Sequence, residues 1–225
     1  MSDAGKLAAG RAAAALVEDG MQLGLGSGST VAFFLDALAR RGLDVAGVPT
    51  SEATAARCRQ LSIDLLLPSD VDALDLAVDG ADELDRSLTL TKGGGGALVR
   101  EKVVATLARR FVVIATTDKL VDRLADSFPL PVEVLPFALA PVSRTLSALG
   151  FEVTERQQDG GSYRTDNGNA VLDCRFPGGL ADPASTDVTI TTVPGVVGTG
   201  LFVDIATCAL LGDSHGAVTE LTLPT

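Results

Sequence analysis

The sequence predicts an α/β protein with a doubly wound, largely parallel sheet domain and a smaller α+β domain inserted before the C-terminal segment. Three observations predict this fold. Short apolar strands alternate with helical segments through the first half of the chain. Prolines and a helix–strand–strand order begin near Ser127, and the stretch from Gly200 to Leu211 is apolar again. The predicted domains are therefore residues 1–126 together with 200–225, and residues 127–199.

The elements of the first domain follow from hydrophobic periodicity and from helix start and stop signals. The helix over 30–41 is predicted from its apolar residues Val31, Phe33, Phe34, Leu35 and Leu38, with Gly42 as its stop, and Ser51 is the cap of the next helix. In chain order, we predict a helix over 3–18, a strand over 21–25, a helix over 30–41, a strand over 45–48, a helix over 51–61, strands over 64–67 and 74–78, a helix over 96–110 and a buried strand over 111–115.

The second domain is predicted from shorter segments between turns. We expect a strand over 132–135, a helix over 141–149, and strands over 151–155 and 170–175. The run Asp166-Asn167-Gly168-Asn169 is a hairpin signal between the last two strands.

Composition excludes several classes of function. The chain has 225 residues and a net charge of −11, so nucleic acid and anionic membranes are not expected partners. No apolar run is long enough to span a bilayer, and the N-terminus has no signal-peptide pattern. Three widely spaced cysteines and a single histidine predict a cytoplasmic protein without a metal site, in which carboxylates and lysines perform acid–base chemistry.

The first glycine loop, residues 24–30, follows a predicted strand and precedes a predicted helix. Glycines let the backbone approach a ligand, and free N–H groups at a helix start bind anions. Gly24, Gly26 and Gly28 are therefore candidate positions for close approach of a phosphate, and Ser29 and Thr30 add hydroxyl donors. The loop lacks the lysine of a P-loop and the third glycine of a dinucleotide fold. The alternative is a tight turn with Ser29 or Thr30 as a cap.

Two lysines are candidates for the same anion. Lys6 aligns with Gly10, Ala13 and Val17 on an inward-facing helical stripe, where an ammonium needs an anionic partner or must reach water. Lys119 follows a predicted strand, at the sheet edge where ligands bind in open α/β folds. The alternative for each is a solvated lysine.

Acid–base chemistry is predicted at a second segment. Asp79 and Asp82 follow a strand, and neighbouring carboxylates can share a proton near neutral pH. Glu101 lies on the apolar stripe of its predicted helix, where burial should raise its pKa. Lys92 precedes four glycines and could stabilise a developing oxyanion. The alternatives are turn-capping aspartates and a glutamate placed to suit the helix dipole. His215 is predicted to be a surface residue.

Seven segments, in order over nearly the whole chain, closely resemble the type A ribose-5-phosphate isomerase family. They are GLGSGST, VPTSEAT, LDLAVDGADELD, KGGGGALVREK, FPLPVEVLP, TDNGN and VPGVVGTGLF. The resemblance implies interconversion of ribose 5-phosphate and ribulose 5-phosphate in the pentose phosphate pathway, with no cofactor. It also implies a lid-like smaller domain, and homodimers or dimers of dimers. Our hypothesis for the mechanism is a cis-enediol(ate) intermediate. Residues 184–192 lack the family's leucine-rich helical pattern, and residues 212–216 are atypical.

The resemblance also implies roles for individual residues. Glu101 corresponds to the catalytic base, with Asp79, Asp82 and Lys92 as further catalytic candidates. The remaining residues implied to bind substrate are Lys6, Ser27, Gly28, Ser29, Thr30, Gly80, Ala81, Gly93, Gly94, Gly95 and Lys119.

Two other functions remain open from the sequence. One is an enzyme acting on another sugar phosphate, such as an amino-sugar phosphate deaminase or a phosphogluconolactonase, which would be expected to use a catalytic histidine. The other is a sugar-phosphate sensor in a transcriptional regulator, which would need a DNA-binding module.

Overall fold

The computed structural model describes residues 3–223, in which helices and strands alternate through the first half of the chain. The helices are α1 (Asp3–Ala15), α2 (Ser29–Ala39), α3 (Glu52–Gln60), α4 (Leu98–Leu107), α5 (Leu139–Ala148) and α6 (Pro183–Thr191). The strands are β1 (Gln22–Leu25), β2 (Ala46–Pro49), β3 (Asp64–Leu65), β4 (Leu76–Asp79), β5 (Glu83–Leu84), β6 (Leu90–Thr91), β7 (Phe111–Thr116), β8 (Leu130–Val134), β9 (Glu152–Glu155), β10 (Gln157–Gln158), β11 (Gly161–Ser162), β12 (Ala170–Arg175), β13 (Val196–Thr199), β14 (Leu201–Phe202), β15 (Cys208–Gly212) and β16 (Val218–Thr222).

The main sheet has seven strands in the order β16-β15-β7-β4-β1-β2-β3. Every neighbouring pair is parallel except β15 and β16. Alternate side chains of β7 lie on opposite faces of the sheet, in different hydrophobic cores. Val112 and Ile114 pack with α1 and α2, whereas Phe111 and Val113 pack with α4 and β14. Burial on both faces explains why β7 is a continuous apolar run. The predicted α/β, doubly wound class is confirmed.

The strand order reverses beside β1, and this reversal positions the site. The chain runs from β1 outward to β2 and β3, then returns to β4 on the other side of β1. In open α/β sheets, ligands bind at the carboxyl ends of the strands at such a point. Here β1 ends in the first glycine loop, and β4 ends at Asp79.

A second, antiparallel sheet has the order β13-β8-β12-β9. Leu130, Val132 and Val134 of β8 are buried against Val142 of α5 and Ile190 of α6. All four strands lie between residues 130 and 199. The domain division at residues 127–199 stays a prediction.

The run at 166–169 does not join two strands directly, as the hairpin signal predicted. It forms a turn closed by hydrogen bonds between Thr165 and Asn169 and from the Gly168 N–H to the Thr165 carbonyl. The side chains of Asn167 and Asn169 donate to Oε1 of the fully buried Glu133, at 3.0 and 2.8 Å. The small β10–β11 hairpin lies between β9 and this turn. The carboxylate of Glu133 therefore stabilises this turn, although the sequence of the segment alone favours a hairpin between two strands.

Several boundaries differ from the predictions. Helix α1 ends at Ala15 rather than residue 18, and α4 covers 98–107 rather than 96–110. Residues 183–191 form α6 despite lacking an apolar helical pattern, because Asp182 caps the helix by accepting from the Ser185 N–H at 3.0 Å and Ile190 is buried. Strands β5, β6, β10, β11 and β14 have two residues each, too short to give an alternating pattern. Within residues 3–223, no helix has the length and apolar character needed to cross a membrane.

Candidate active site

A cavity of about 340 Å³ opens at the carboxyl ends of β1, β4 and β7. The predicted site residues that line it are Lys6, Ser27, Gly28, Ser29, Thr30, Gly80, Ala81, Asp82, Lys92, Gly93, Gly94, Gly95, Glu101 and Lys119. Asp79 is buried behind this surface, in contact with Lys92. Residues from six separate segments (6, 27–30, 80–82, 92–95, 101 and 119) therefore meet in one cavity, and their individual roles stay predictions.

Asp79 joins the first glycine loop to the segment after β4. Its Oδ1 accepts hydrogen bonds from the backbone N–H groups of Ser27 (2.9 Å) and Gly80 (2.7 Å). The Gly26 N–H donates to the carbonyl of Val78, which brings the loop directly against Asp79. Both oxygens of this carboxylate are occupied, since Oδ2 lies 3.0 Å from Nζ of Lys92.

The first glycine loop leads into α2 with Gly28 as the N-cap, at φ 103°. A positive φ is readily available to glycine. The alternative interpretation, in which Ser29 or Thr30 caps the helix, is wrong. The Ser27 hydroxyl contacts the hydroxyls of Thr50 (2.7 Å) and Ser51 (2.8 Å), which anchors the loop to the start of α3. Ser51 is the predicted cap of α3 and accepts from the Thr54 N–H. The exposed start of α2 is therefore a candidate anion-binding position.

Lys92 is at the centre of the buried charged cluster. Its Nζ lies 3.0 Å from Oδ2 of Asp79, 3.3 Å from Oε1 of Glu101 and 2.7 Å from the carbonyl of Gly80. Burial acts to lower the pKa of Lys92, but the carboxylates of Asp79 and Glu101 outweigh it, so the net pKa is raised. The ammonium therefore keeps its charge in a site only 2% exposed.

Glu101 lies in the first turn of α4 and is 6% exposed, in agreement with its predicted place on the apolar stripe. Its Oε1 pairs with Lys92, whereas its buried Oε2 has no hydrogen-bond partner within residues 3–223. Burial raises the pKa of Glu101 to about 8, with Lys92 opposing the rise and Asp79 and Asp82 adding to it. A carboxylate with such a pKa can both take and return a proton near neutral pH.

Asp82 differs from Asp79 in its surroundings. It is half-buried, lines the cavity, and accepts the N–H of Gly94 at Oδ2 (2.7 Å). Burial raises the pKa of Asp82, against the opposing effects of that hydrogen bond and of Lys92. Asp82 is therefore the aspartate with access to a bound molecule.

Three cavity residues were not predicted from the sequence: Ala115, Thr116 and Phe128. Thr116 extends the predicted strand 111–115 by one residue, and strand-end position could have identified it. The sequence around Phe128 does not indicate a place in the cavity. Its position depends on the distant, buried Glu83, which accepts from the Phe128 N–H at 2.9 Å. Its ring centroid is 5.9 Å from Nζ of Lys119.

Other candidate groups lie outside this cavity. His215 is exposed on the turn between β15 and β16, as predicted. In the part of the chain from 3 to 223, no three His, Cys, Asp or Glu side chains are grouped to hold a metal ion.

Gly26→Ala should damage both the site and the fold. A methyl group at Gly26 would lie 2.6 Å from Cα of Asp79 and closer still to its carboxylate. We expect kcat/KM to fall by about 100-fold, because displacement of the loop misplaces Asp79 and Lys92. Thermal denaturation and steady-state kinetics would measure this, with Gly161→Ala as the matched control, since its methyl group would meet no atom closer than 3.8 Å. Unchanged kinetics in Gly26→Ala would contradict the proposed arrangement.

The fold and the cavity together define a class: a doubly wound α/β protein with a buried carboxylate–ammonium cluster beside a glycine loop at a helix start. Residues 46–216 match the family model described as ribose 5-phosphate isomerase A (phosphoriboisomerase A). The chain therefore belongs to the ribose-5-phosphate isomerase A family.

Relatives and solved structures agree with this assignment. The chain is 52% identical over 213 residues to ribose-5-phosphate isomerase A of Thermomicrobium roseum, covering 92% of this chain and 90% of the relative. It is 43% identical over 214 residues to the Bacillus mycoides protein of the same name, covering 94% and 96%. Among solved structures, ribose 5-phosphate isomerase A of Methanocaldococcus jannaschii has a TM-score of 0.92 at 39% identity, covering 97% of this chain and 98% of that one. A D-ribose-5-phosphate isomerase in complex with phospho-erythronic acid has a TM-score of 0.93 at 38% identity, covering 97% of both chains.

Proposed function

We propose that this protein interconverts D-ribose 5-phosphate and D-ribulose 5-phosphate through a metal-independent cis-enediol(ate), as a step of the pentose phosphate pathway. The observation that carries the proposal is the buried Oε2 of Glu101, which lacks a partner within residues 3–223 beside the ammonium of Lys92. Family membership supports the activity and the substrate.

The phosphate group is expected to bind at the start of α2. The first N–H groups of a helix have no partners within the helix, and the helix dipole favours an anion there. Ser29 and Thr30 carry hydroxyls at this position, while Lys6 and Lys119 bring positive charge to the same cavity. Phosphate binding then holds the flexible sugar chain, so that binding energy is used to orient the reacting carbons.

Asp82, rather than Asp79, is proposed to exchange protons with the sugar oxygens and to assist ring opening. Asp82 lines the cavity and has a raised pKa caused by burial. Asp79 has both oxygens engaged, by two backbone N–H groups and by Lys92. Its proposed role is to hold the first glycine loop and the ammonium in place.

Glu101 is proposed to act as the base of the isomerisation. Its carboxylate removes the proton from C2 of the open aldose, and the C–H electron pair forms the C1–C2 double bond as the carbonyl oxygen at C1 becomes anionic. The proton then returns from Glu101 to C1, while the C2 hydroxyl passes its proton to the anionic oxygen on C1 and becomes the carbonyl of the ketose. A single carboxylate can serve both steps because its pKa of about 8 lies near the working pH.

Lys92 is proposed to stabilise the anionic oxygen of the intermediate. Its charge is buried and fixed by Asp79 and Gly80, so no reorganisation is needed when negative charge develops. A single donor of this kind is worth about 3 kcal/mol in the barrier.

We also propose a cytoplasmic homodimer or dimer of dimers. The family resemblance supports the assembly, and the three buried, unpaired cysteines are compatible with a reducing compartment. Sedimentation equilibrium would measure the assembly.

The activity itself is tested by following ribulose 5-phosphate formation from ribose 5-phosphate in the presence of EDTA. We expect turnover at the same rate with and without the chelator. Loss of activity in EDTA, restored by a divalent ion, would contradict the metal-independent mechanism. No ketose under either condition would contradict the proposed substrate.

The pH dependence of kcat/KM should report Glu101. Because the active form of the base is deprotonated and its pKa is about 8, kcat/KM should rise with pH and level off above about 8. Initial rates from pH 6 to 9.5 would measure the profile. A profile that is flat from pH 6 to 9, or that falls through pH 8, would contradict this assignment of the base.

A further inference from the structure

The second glycine loop, residues 93–96, presents its carbonyl groups to side chains from residues 156–163. Nη1 of Arg156 donates to the carbonyl oxygens of Gly93 (2.8 Å) and Gly94 (3.0 Å). The hydroxyl of Tyr163 donates to the next carbonyl, that of Gly95, at 3.1 Å. Two side chains, neither of which lines the active-site cavity, thus donate to three successive carbonyls of this loop, and the Gly93 carbonyl also accepts the N–H of Gly96 at 2.8 Å.

Arg156 is itself firmly held. Its Nε and Nη2 pair with the two carboxylate oxygens of Asp173 on β12, at 2.9 and 2.5 Å. Its guanidinium carbon lies 5.6 Å from the centre of the Tyr163 ring, and its side chain is 14% exposed. A planar fork fixed on both sides loses little additional freedom when it binds the loop.

The geometry of the peptide group relates the hydrogen bonds to the loop carbonyls to the direction of the loop N–H groups. In a planar trans peptide, each N–H points opposite to the carbonyl of the preceding residue. The N–H that follows the Gly93 carbonyl belongs to Gly94 and reaches Asp82 at 2.7 Å, on the cavity side. The N–H that follows the Gly94 carbonyl belongs to Gly95, which lines the cavity and whose N–H has no hydrogen-bond partner within residues 3–223.

We propose that Arg156 and Tyr163 are positioning residues for the isomerisation: Arg156 holds the Gly94 carbonyl outward, so that the N–H of Gly95 faces the anionic oxygen of the intermediate, and Tyr163 fixes the peptide group that follows Gly95. The inference rests on the proposed isomerase function and adds a backbone donor to Lys92. Arg156 also places a positive charge near Asp82, where it acts to lower the pKa of that carboxyl against the effect of burial.

The test compares Arg156→Ala, Arg156→Lys and Tyr163→Phe with the unaltered protein. Steady-state kinetics give kcat and KM for ribose 5-phosphate. Inhibition by phospho-erythronic acid tests the donors directly, because its carboxylate places negative charge at the end of a phosphorylated sugar chain. Arg164→Ala is the matched control, since Arg164 lies in the same segment but bonds only Ser162 and its own neighbour's carbonyl within residues 3–223.

We expect Arg156→Ala to lower kcat by about 100-fold and to weaken phospho-erythronic acid binding by at least about tenfold, with KM changed by less than about threefold. KM should change little while kcat falls, because the first glycine loop, which is proposed to hold the phosphate, is unaltered in this variant. Arg156→Lys should give intermediate values, since lysine can donate to the carbonyls without forming the fork. A variant in which kcat and inhibition are unchanged would overturn the inference, as would an effect confined to KM.

Thermal denaturation reports whether each variant is folded. If Arg156→Ala does not fold, Tyr163→Phe tests the proposal instead, because this change removes one hydroxyl and keeps the ring. A fall in kcat of about fivefold with weaker inhibition supports the proposal, and unchanged values overturn it. An unaltered protein that forms no ketose would instead overturn the proposed function.

Discussion

Glu101→Gln is expected to lower kcat by about 10⁴-fold while ribose 5-phosphate still binds. The amide keeps the size and hydrogen-bonding capacity of the carboxyl group but cannot accept the proton from C2. The residues proposed to bind the phosphate lie elsewhere in the cavity and are unaltered: Ser29, Thr30, Lys6 and Lys119. Stopped assays would measure kcat, and calorimetry with ribose 5-phosphate would measure Kd.

Two controls separate loss of the base from loss of the fold. Glu152→Gln changes an exposed glutamate of β9 and should leave kcat unchanged.

The second control is the dependence of stability on pH. The pKa of Glu101 rises from 4.5 to about 8 on folding, so its contribution to stability is present below pH 4.5 and is lost as pH rises through 8. Glutamine does not titrate, so Glu101→Gln should gain Tm relative to the unaltered protein between pH 6 and pH 9. Normal turnover in folded Glu101→Gln would remove Glu101 as the base.

Lys92→Met is expected to be the second most damaging change, and it should affect stability as well as rate. Methionine has a similar length but no charge, so Asp79 and Glu101 would be left buried without their shared partner. Breaking a buried ion pair costs about 3–5 kcal/mol, which corresponds to a fall in Tm of about 10 °C. We also expect kcat/KM at pH 7 to fall by about 1,000-fold, because the oxyanion loses a donor and the pKa of Glu101 rises further.

Lys102→Met is the matched control for this change. Lys102 lies on the same helix as Glu101 and near the same Phe202 ring as Lys92, but it pairs with Asp187 instead of the site carboxylates. Calorimetry and pH-dependent kinetics would compare the two variants. Lys92→Met with the Tm and the pH profile of the control would contradict the central role given to its ammonium.

The sheet domain was predictable because its strands are buried on both faces. An uninterrupted apolar run such as Phe111–Ala115 occurs where helices cover both sides of a parallel sheet. The candidate site segments at 79–82 and 92–95 were proposed because carboxylates, an ammonium and glycines are close together in sequence. The burial of Glu101 also followed from helical periodicity alone.

Contacts between distant residues could not be predicted in the same way. The different surroundings of Asp79 and Asp82 depend on hydrogen bonds from Ser27 and Gly94, which a local pattern does not contain. Arg156 reaches the second glycine loop across 63 residues of sequence, and Phe128 reaches the cavity only because Glu83 holds its backbone. Helix α6 was missed for a related reason: its stability comes from a cap and one buried residue instead of an apolar stripe.

Proton exchange with solvent tests the role of Glu101 most directly. Unlabelled ribose 5-phosphate would be incubated in D₂O over many turnovers, and NMR would follow deuterium at C1 of the ketose and at C2 of the recovered aldose. A carboxylate that carries the proton between these carbons, and that exchanges its proton with solvent in a fraction of the turnovers, predicts deuterium accumulating at both positions with the unaltered protein and none with Glu101→Gln. Exchange at the unaltered rate in Glu101→Gln would contradict it.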